Sequence, residues 1–311
     1  MNRDLERNSR PVDLRSNVRG ANGQGDGGGD RPPVQSDERP PGRPIRKDER
    51  IISERGLYIE SWLPERRSRR KPLYLIHGEL GGSWLWHRYL GYFAPRGWEG
   101  HAINLRGHYW SETIDFAEVD FATYIDDVLA GADLMPRPPI VIGHGMGGLL
   151  AMRVAQERPL SALILLSPAL PAQLLEPPPA HMVRLLPRQY RRELLGWDGP
   201  IDVLQRQNPD LTTEDVMRVQ HMMGAESGAA RRQMLEGVEV ELERLPDVPR
   251  LVIGAGLDRF FSEGDSERLA EWLGAAYQPY GARSHYGLVI GEQSHEPVVE
   301  AIRTFIEVNR V

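Results

Sequence analysis

The chain has 311 residues, of which 40% are hydrophobic, and its formal net charge is −6 with a sequence pI near 5.9. This length accommodates one large core, or a core with an inserted subdomain, and the acidic balance argues against a nucleic-acid surface, which needs a basic patch. The absence of cysteine excludes disulfides, a thiolate nucleophile and cysteine-based metal sites. The N-terminus lacks the apolar core of a secretory signal, and no stretch approaches the ~20 apolar residues of a membrane span. A cytoplasmic location is therefore the default expectation.

The first part of the chain differs in composition from the rest. Residues 20–30 are mostly glycine and polar residues, and residues 31–46 are rich in proline and arginine. Such a segment buries too little apolar surface to offset the entropy lost on ordering. We therefore predict a disordered tail over residues 1–48 and an ordered core that starts near Glu49.

Strand and helix patterns alternate through most of the remaining sequence. Residues 51–63 predict a hairpin with Arg55-Gly56 at its turn. Apolar runs at 72–76, 139–142, 163–166, 249–255 and 276–280 predict strands, and residues 121–135 and 146–156 predict helices. This alternation predicts an α/β fold with a mostly parallel sheet that helices cover on both faces.

The segment from Pro139 to Leu150 predicts a buried strand, a tight turn and a helix. This is the frame of the G-x-S-x-G nucleophile elbow, in which the middle residue projects from a strained strand-to-helix turn. Here the middle residue is Gly145, which has no side chain. Glycine adopts the positive-φ geometry of the elbow without steric cost, so this change removes the nucleophile and preserves the turn.

Further motifs stand in the order typical of one family. The sequence His77-Gly78-Glu79-Leu80-Gly81-Gly82 follows a predicted strand, Ile103 to His108 ends in Arg-Gly-His, and Gly143 to Gly148 reads G-H-G-M-G-G. Together they resemble the α/β-hydrolase superfamily, esterases and lysophospholipases in particular, from about Ile51 to Val308. The chain departs from the family pattern with Asn104 for the usual aspartate and with Gly145 for the serine.

The resemblance implies an acid, a base and an oxyanion hole. In the family's chain order of nucleophile, acid and histidine, Asp258 matches the acid and His285 the base. The backbone N–H groups of Glu79 and Met146 would form the oxyanion hole. Around them, the elbow and its neighbouring loop would be shaped by His77, Gly78, Gly143, His144 and Gly147.

Each of these roles has a structural alternative. Asp258 is also a common residue type for a helix cap or turn. His295 competes with His285 for the role of base, although Tyr286-Gly287 favours His285 because it matches the family's loop. His144 and His77 are expected to pack rather than to react. The Glu79 side chain could point into the cleft beside the oxyanion donors, but its carboxylate is expected to face solvent. The remaining histidines show no metal-ligand spacing, and the sequence indicates no metal and no cofactor.

Other groups of the chain, or water, could supply the attacking atom. Ser83, Ser111 and Ser167 are candidate replacement nucleophiles, but the family pattern favours none of them. Water is the more physical alternative, since a His285–Asp258 pair could activate a water molecule held where the serine oxygen would lie.

The pattern changes between residues 169 and 246, which separate core segments 49–168 and 247–311. Helices are predicted around 181–195, 200–207, 213–224 and 229–243, and in this family such an insertion is a cap, or lid, over the site. Seven apolar residues could line a chamber there or could pack the insertion on the core; they are Met182, Leu185, Leu186, Met217, Val219, Met222 and Met223. An apolar chamber would suit a small ester-like or acyl ligand.

Three functional hypotheses follow. The first is an enzyme of serine-hydrolase ancestry, acting on ester or acyl substrates, that lacks its nucleophile. The second is a non-catalytic ligand-binding protein that keeps the pocket. The third is a His285-dependent enzyme without a covalent intermediate, such as a lyase or an enzyme of cofactor-free oxygen chemistry. The sequence indicates no oligomeric state.

Overall fold

The computed structural model describes residues 45–52, 55–66 and 68–311. Its centre is an eight-stranded sheet with the order β1-β2-β4-β3-β5-β6-β9-β10. Strand β2 pairs antiparallel with β1 on one side and with β4 on the other, and every other pair in this sheet is parallel. This confirms the predicted α/β class with a mostly parallel sheet.

Strands and helices alternate along most of the described chain. The strands are β1 (Arg46–Ile52), β2 (Leu57–Leu63), β3 (Leu73–Ile76), β4 (Gly100–Asn104), β5 (Ile140–His144), β6 (Ala162–Leu166), β7 (Gln189–Arg191), β8 (Ala225–Ser227), β9 (Arg250–Ala255) and β10 (Ala276–Tyr280). The helices are α1 (His87–Phe93), α2 (Phe121–Asp133), α3 (Met146–Glu157), α4 (Ala180–Arg184), α5 (Ile201–Gln207), α6 (Thr213–Met222), α7 (Gly228–Glu236), α8 (Glu263–Leu273) and α9 (His295–Val308). No helix in these described ranges is both long and apolar enough to cross a membrane.

Two hydrophobic cores cover the two faces of the large sheet. Successive residues of a strand point to opposite faces, so the fully buried strands β3, β5 and β6 divide their side chains between both cores. In β5, Ile140 and Ile142 join the core that contains residues of α1 and α9, whereas Val141 joins the core that contains residues of α2, α3 and α8. Burial on both faces explains why these strands read as continuous apolar runs.

Strand β1 includes residues on both sides of the predicted boundary at residue 49. Strand β1 starts at Arg46 and pairs with β2 in a register that sets Arg46 opposite Leu63. These residues belong to the sheet because β2 extends far enough to pair with them. At the other end of the pair, Ile52 lies opposite Leu57, and Gly56 has φ 63°. Residues 1–44 of the predicted tail, and residues 53–54 of the predicted turn, lie outside the described residues.

The insertion, residues 169–246, contains α4 to α7 and a small antiparallel sheet of β7 and β8. The single helix predicted over 181–195 is wrong, because α4 ends at Arg184 and residues 189–191 form β7. Pro187 lies between them and has no N–H to continue a helix. The helix predicted over 229–243 is also too long, since α7 ends at Glu236 and is capped by Gly237, whose φ of 113° suits a residue without a β-carbon.

Three of the seven apolar residues of the insertion neither line an enclosed chamber nor pack on the core, the two alternatives that the sequence left open. Met182, Leu185 and Met217 are exposed by 57%, 81% and 54%, so they face solvent. Val219 and Met223 are buried in the core that also holds α1 and α9. The helical spacing identified an apolar side of these short helices, but it carried no information on which neighbour that side would meet.

Candidate active site

The elbow lies between β5 and α3, at the carboxyl end of the central strands. Gly145 has φ 57° and ψ −123°, a backbone geometry that residues with a β-carbon rarely adopt. Its N–H donates to the Leu166 carbonyl at 3.1 Å, and its own carbonyl accepts from the Ala169 N–H at 3.0 Å. The turn is therefore tied to the end of β6 on both sides of residue 145.

Two further glycines let the elbow pack tightly. A β-carbon at Gly143 would lie 2.2 Å from the Gly147 carbonyl oxygen. A β-carbon at Gly147 would lie 2.3 Å from the Ile76 carbonyl oxygen at the end of β3. Both distances are well below van der Waals contact, so only glycine fits at these positions. The G-x-G-x-G spacing follows from this packing, whatever the middle residue does.

Asp258 and His285 form a buried hydrogen-bonded pair. Asp258 follows β9 and His285 follows β10, and the two strands are parallel neighbours. The His285 Nδ1 lies 2.6 Å from Asp258 Oδ2, and the side chains are only 8% and 0% exposed. Burial by itself would raise the pKa of Asp258, but the His285 imidazole and the N–H groups of Phe260 and Phe261 hold it below its ordinary value.

The imidazole of His285 faces Gly145, the predicted nucleophile position. A β-carbon built on Gly145 would lie 3.2 Å from both Nε2 and Cε1 of His285, and 3.4 Å from the Phe261 ring. Because Nδ1 is engaged by Asp258, Nε2 is the nitrogen left to exchange a proton with an atom at position 145. The structure thus brings together the three positions that the sequence assigned to nucleophile, acid and base.

The loop after β3 lies directly against the elbow. A β-carbon at Gly78 would be 2.8 Å from the His144 carbonyl oxygen and 3.5 Å from the Met146 backbone nitrogen. The absence of a side chain at Gly78 therefore lets the segment leading to Glu79 approach Met146, the other predicted oxyanion donor. Leu80, next along the loop, has φ 57°, which is unusual for a residue with a β-carbon.

The expectation that the Glu79 carboxylate faces solvent is wrong. This side chain is only 8% exposed, and its Oε1 accepts from Arg231 at 2.5 Å and from the Tyr190 hydroxyl. Arg231 lies on α7 and Tyr190 on β7, so both partners come from the insertion. A buried carboxylate needs a charged partner and hydrogen bonds, and the insertion supplies both.

His144 and His77 are completely buried. The Nε2–H of His144 donates to the His285 carbonyl at 3.1 Å, and the two rings are in contact, tilted by 36° with their centroids 4.0 Å apart. In His77, Nδ1–H donates to the Gly78 carbonyl at 2.8 Å, and Nε2 accepts from the Leu105 N–H at 3.1 Å. Burial lowers the pKa of His77 to about 3 and that of His144 well below its ordinary value, so both rings are neutral parts of the frame.

His295, the competitor for the role of base, lies at the start of α9. Its ring is buried rather than solvated, and its Nδ1–H donates to the Gly291 carbonyl at 2.8 Å. The Asp258 carboxylate pairs with His285 instead.

The three candidate replacement serines differ in their partners. The Ser83 hydroxyl donates to Glu60 at 2.7 Å, and the Ser111 hydroxyl donates to the Asn104 carbonyl at 2.7 Å. Asn104, which replaces the usual aspartate, accepts from the Ser83 N–H at 2.6 Å and so helps to hold that loop. The Ser167 hydroxyl is buried and makes no hydrogen bond within the described residues. Within the described residues, none of the three hydroxyls forms a hydrogen bond with His285.

Aromatic rings enclose His285, and none of them had a predicted role in packing against it. Phe260, Phe261 and Tyr286 have ring centroids 5.1, 5.6 and 5.0 Å from the imidazole, and Trp197 of the insertion packs on Tyr286 at 5.2 Å. The adjacency of Phe260 and Phe261 to the predicted acid was a usable sequence signal. The roles of Trp197, Tyr190 and Arg231 had no such signal, because these residues lie far away in sequence.

Comparisons with known proteins agree with this architecture. The model of the "Alpha/beta hydrolase family" matches residues 73–301. No curated protein matches the chain. Solved structures with the same fold include a hydrolase from Pseudomonas aeruginosa PA01, with 20% identity over 84% of this chain and 98% of that chain and a TM-score of 0.62. A putative aryl esterase from Burkholderia cenocepacia has 16% identity over 85% of this chain and 99% of that chain, with a TM-score of 0.63. A third is a thioesterase domain from the curacin biosynthetic pathway, with 18% identity over 86% of this chain and 100% of that chain and a TM-score of 0.59. The family match spans well over half of the sequence, and the chain belongs to the α/β-hydrolase family.

Proposed function

We propose that this chain has the site of a serine hydrolase for ester or acyl substrates, with Gly145 in place of the nucleophile, and that it hydrolyses such substrates through water activated by His285. One observation carries the proposal: the His285–Asp258 pair, joined at 2.6 Å, faces a glycine in the elbow geometry. A protein that only bound a ligand would have no need of an imidazole oriented by a buried carboxylate.

The proposed reaction is a single displacement. A water molecule occupies the space of the absent serine oxygen and passes a proton to His285 Nε2 as its oxygen attacks the substrate carbonyl. The Asp258 carboxylate stabilises the imidazolium, and the N–H groups of Met146 and Glu79 stabilise the oxyanion of the tetrahedral intermediate. The imidazolium then protonates the leaving alkoxide as the C–O bond breaks, which releases a carboxylic acid and an alcohol.

The expected rate is low, because water lacks the fixed position of a serine bonded to the turn. General base catalysis contributes about 10²–10⁴-fold, and the oxyanion donors add to it. The ester class is taken from the family and from the esterase-like neighbours. The protein groups in the mechanism all belong to this chain. The cytoplasmic location stays a prediction.

A panel of p-nitrophenyl esters and lactones tests the proposal on the parent chain, Gly145→Ser and His285→Ala. We expect weak hydrolysis by the parent that His285→Ala abolishes, and much faster hydrolysis by Gly145→Ser. Activity confined to Gly145→Ser would support the hydrolase frame and reject the water reaction. Silence in all three proteins would reject both and leave ligand binding, or lyase or oxygen chemistry at His285, as the function to test.

A further inference from the structure

The oxyanion loop is bonded to the insertion through both backbone groups of Leu80. The Leu80 N–H donates to Glu226 Oε2 at 3.1 Å, and the Leu80 carbonyl accepts from the Gly224 N–H at 3.2 Å. Leu80 has φ 57°, a strained conformation for a residue with a β-carbon, which persists only where the surroundings hold it. Here the surroundings that hold it are residues 224 and 226, at the start of β8.

Glu226 is itself fixed on every side. It is completely buried, and besides Leu80 it accepts hydrogen bonds from His108 Nε2 at 3.0 Å, from the Ser227 N–H at 2.8 Å and from the Tyr124 hydroxyl. His108 belongs to the Arg-Gly-His loop of the core, and Tyr124 to α2. The carboxylate therefore joins three parts of the fold, and its orientation does not depend on a flexible surface segment.

Glu79, the residue before Leu80, is held by a second contact with the insertion. Arg231 lies 2.5 Å from its carboxylate and is only 18% exposed. Without Arg231, the negative charge of the Glu79 carboxylate would be unpaired beside the N–H groups that are proposed to stabilise the oxyanion. The carboxylate and the oxyanion would then repel each other strongly, because little water is present to screen them. Arg231 thus both fixes the Glu79 side chain and neutralises its charge.

We infer that Glu226 and Arg231 are positioning residues for the oxyanion hole, and that the insertion at this edge is part of the catalytic frame and not a lid that lifts away. Glu226 acts through the Leu80 N–H, and Arg231 acts through the Glu79 carboxylate. Raising the insertion would separate two buried carboxylates from their partners, which is strongly destabilising. The inference rests on the proposed function for its catalytic meaning, whereas the positioning itself has a separate readout.

Amide hydrogen exchange supplies that readout in the parent chain, which keeps Gly145. Glu226→Gln should speed exchange in the peptide that spans residues 78–82 by about tenfold, because a local opening becomes easier. The matched control is Glu236→Gln, an exposed carboxylate on α7, which should leave this peptide unchanged. Unchanged exchange at 78–82, or an equal increase throughout the protein, would overturn the positioning role.

Kinetics in a Gly145→Ser background test the consequence for catalysis. Glu226→Gln and Arg231→Gln should each lower kcat about tenfold to hundredfold, as small misplacements do, with KM nearly constant. Arg231→Lys keeps the charge and should recover part of the loss, while Glu236→Gln should match the background. Equal losses in Arg231→Lys and Arg231→Gln, or a change in KM alone, would contradict the inference. If Gly145→Ser is itself inactive, the proposed function fails while the exchange experiment still decides the positioning.

Discussion

Nε2 of His285 lies 3.2 Å from the point that a β-carbon on Gly145 would occupy. In the proposed reaction this relationship sets the chemistry of the site, because the proposed base faces a position where the chain supplies no side-chain atom. It also sets the energetics, because a side chain at residue 145 would have to fit beside the imidazole in a backbone conformation that favours glycine. Chemistry and stability therefore oppose each other at this one residue.

A side chain at position 145 should cost stability. Gly145→Ala and Gly145→Ser should each lower the free energy of unfolding by about 1–3 kcal/mol, because φ of 57° strains any residue with a β-carbon. Urea denaturation measures the change. Alanine is the matched control for serine, since it adds the same β-carbon without the hydroxyl, and it should bring no ester hydrolysis. If both variants had a free energy of unfolding equal to or greater than that of the parent, the strain assigned to the turn would be absent.

The Asp258 carboxylate should control the tautomer of His285. In the Gly145→Ser background, Asp258→Asn should lower kcat by about 10⁴-fold, because the amide no longer fixes the proton on Nδ1 or stabilises the imidazolium. Steady-state kinetics on a p-nitrophenyl ester measures this loss. A loss below about tenfold would mean that the 2.6 Å contact is structural and that His285 does not act as the base.

Ser167 offers a direct test of a replacement nucleophile. Its buried hydroxyl has no partner among the described residues, so Ser167→Ala should leave stability unchanged or raise it by up to ~1 kcal/mol. Any hydrolysis by the parent should also persist. For comparison, the Ser111 hydroxyl accepts from the Tyr58 N–H at 2.9 Å and donates to Asn104, so Ser111→Ala should destabilise. Loss of the parent's activity in Ser167→Ala alone would identify Ser167 as the attacking residue.

Acid should unfold the protein partly through its buried histidines. Burial, together with the nearby Arg50, lowers the pKa of His101 from 6.5 to about 4, and burial lowers the pKa of His77 to about 3. Below pH ~6.5 these two imidazoles are protonated in the unfolded chain but stay neutral in the folded protein. The free energy of unfolding therefore falls as pH falls. Each ring contributes up to ~1.4 kcal/mol per pH unit over its window.

His101 is the ring to remove, because it bonds to Ser61 at 2.8 Å in the antiparallel part of the sheet and takes no part in the proposed reaction. His101→Gln should flatten the dependence of unfolding free energy on pH between about 6.5 and 4 by up to ~1.4 kcal/mol per unit. The raised pKa of His108 works in the opposite sense, since its stabilisation is lost as pH rises. Equal slopes in variant and parent would contradict the neutral buried state assigned to His101.

Much of the fold was predictable because local signals agree with global ones. Continuous apolar runs marked the buried parallel strands, and the glycines around Gly145 marked a turn that only glycines allow. The positions Gly145, Asp258 and His285 followed from the family's order of motifs at strand ends. Such signals act within a few residues of the atoms they describe.

The insertion was predicted less well, for a physical reason. Glu79 and Arg231 are 152 residues apart, and the residues around each of them do not predict their contact. The same holds for Met182 and Met217, whose helical spacing indicated an apolar side without indicating that this side faces solvent. Short elements that pack through distant partners depend on tertiary contacts, which periodicity does not report.

Covalent labelling with a fluorophosphonate tests the central claim most directly. The account predicts that intact-mass spectrometry will find one adduct on Gly145→Ser, that peptide mapping will place it at residue 145, and that His285→Ala in the same background will abolish it. The parent and Gly145→Ala should remain unlabelled. An adduct on the parent, or no adduct on a folded Gly145→Ser protein, would contradict the claim that this is a serine-hydrolase site from which only the nucleophile is missing.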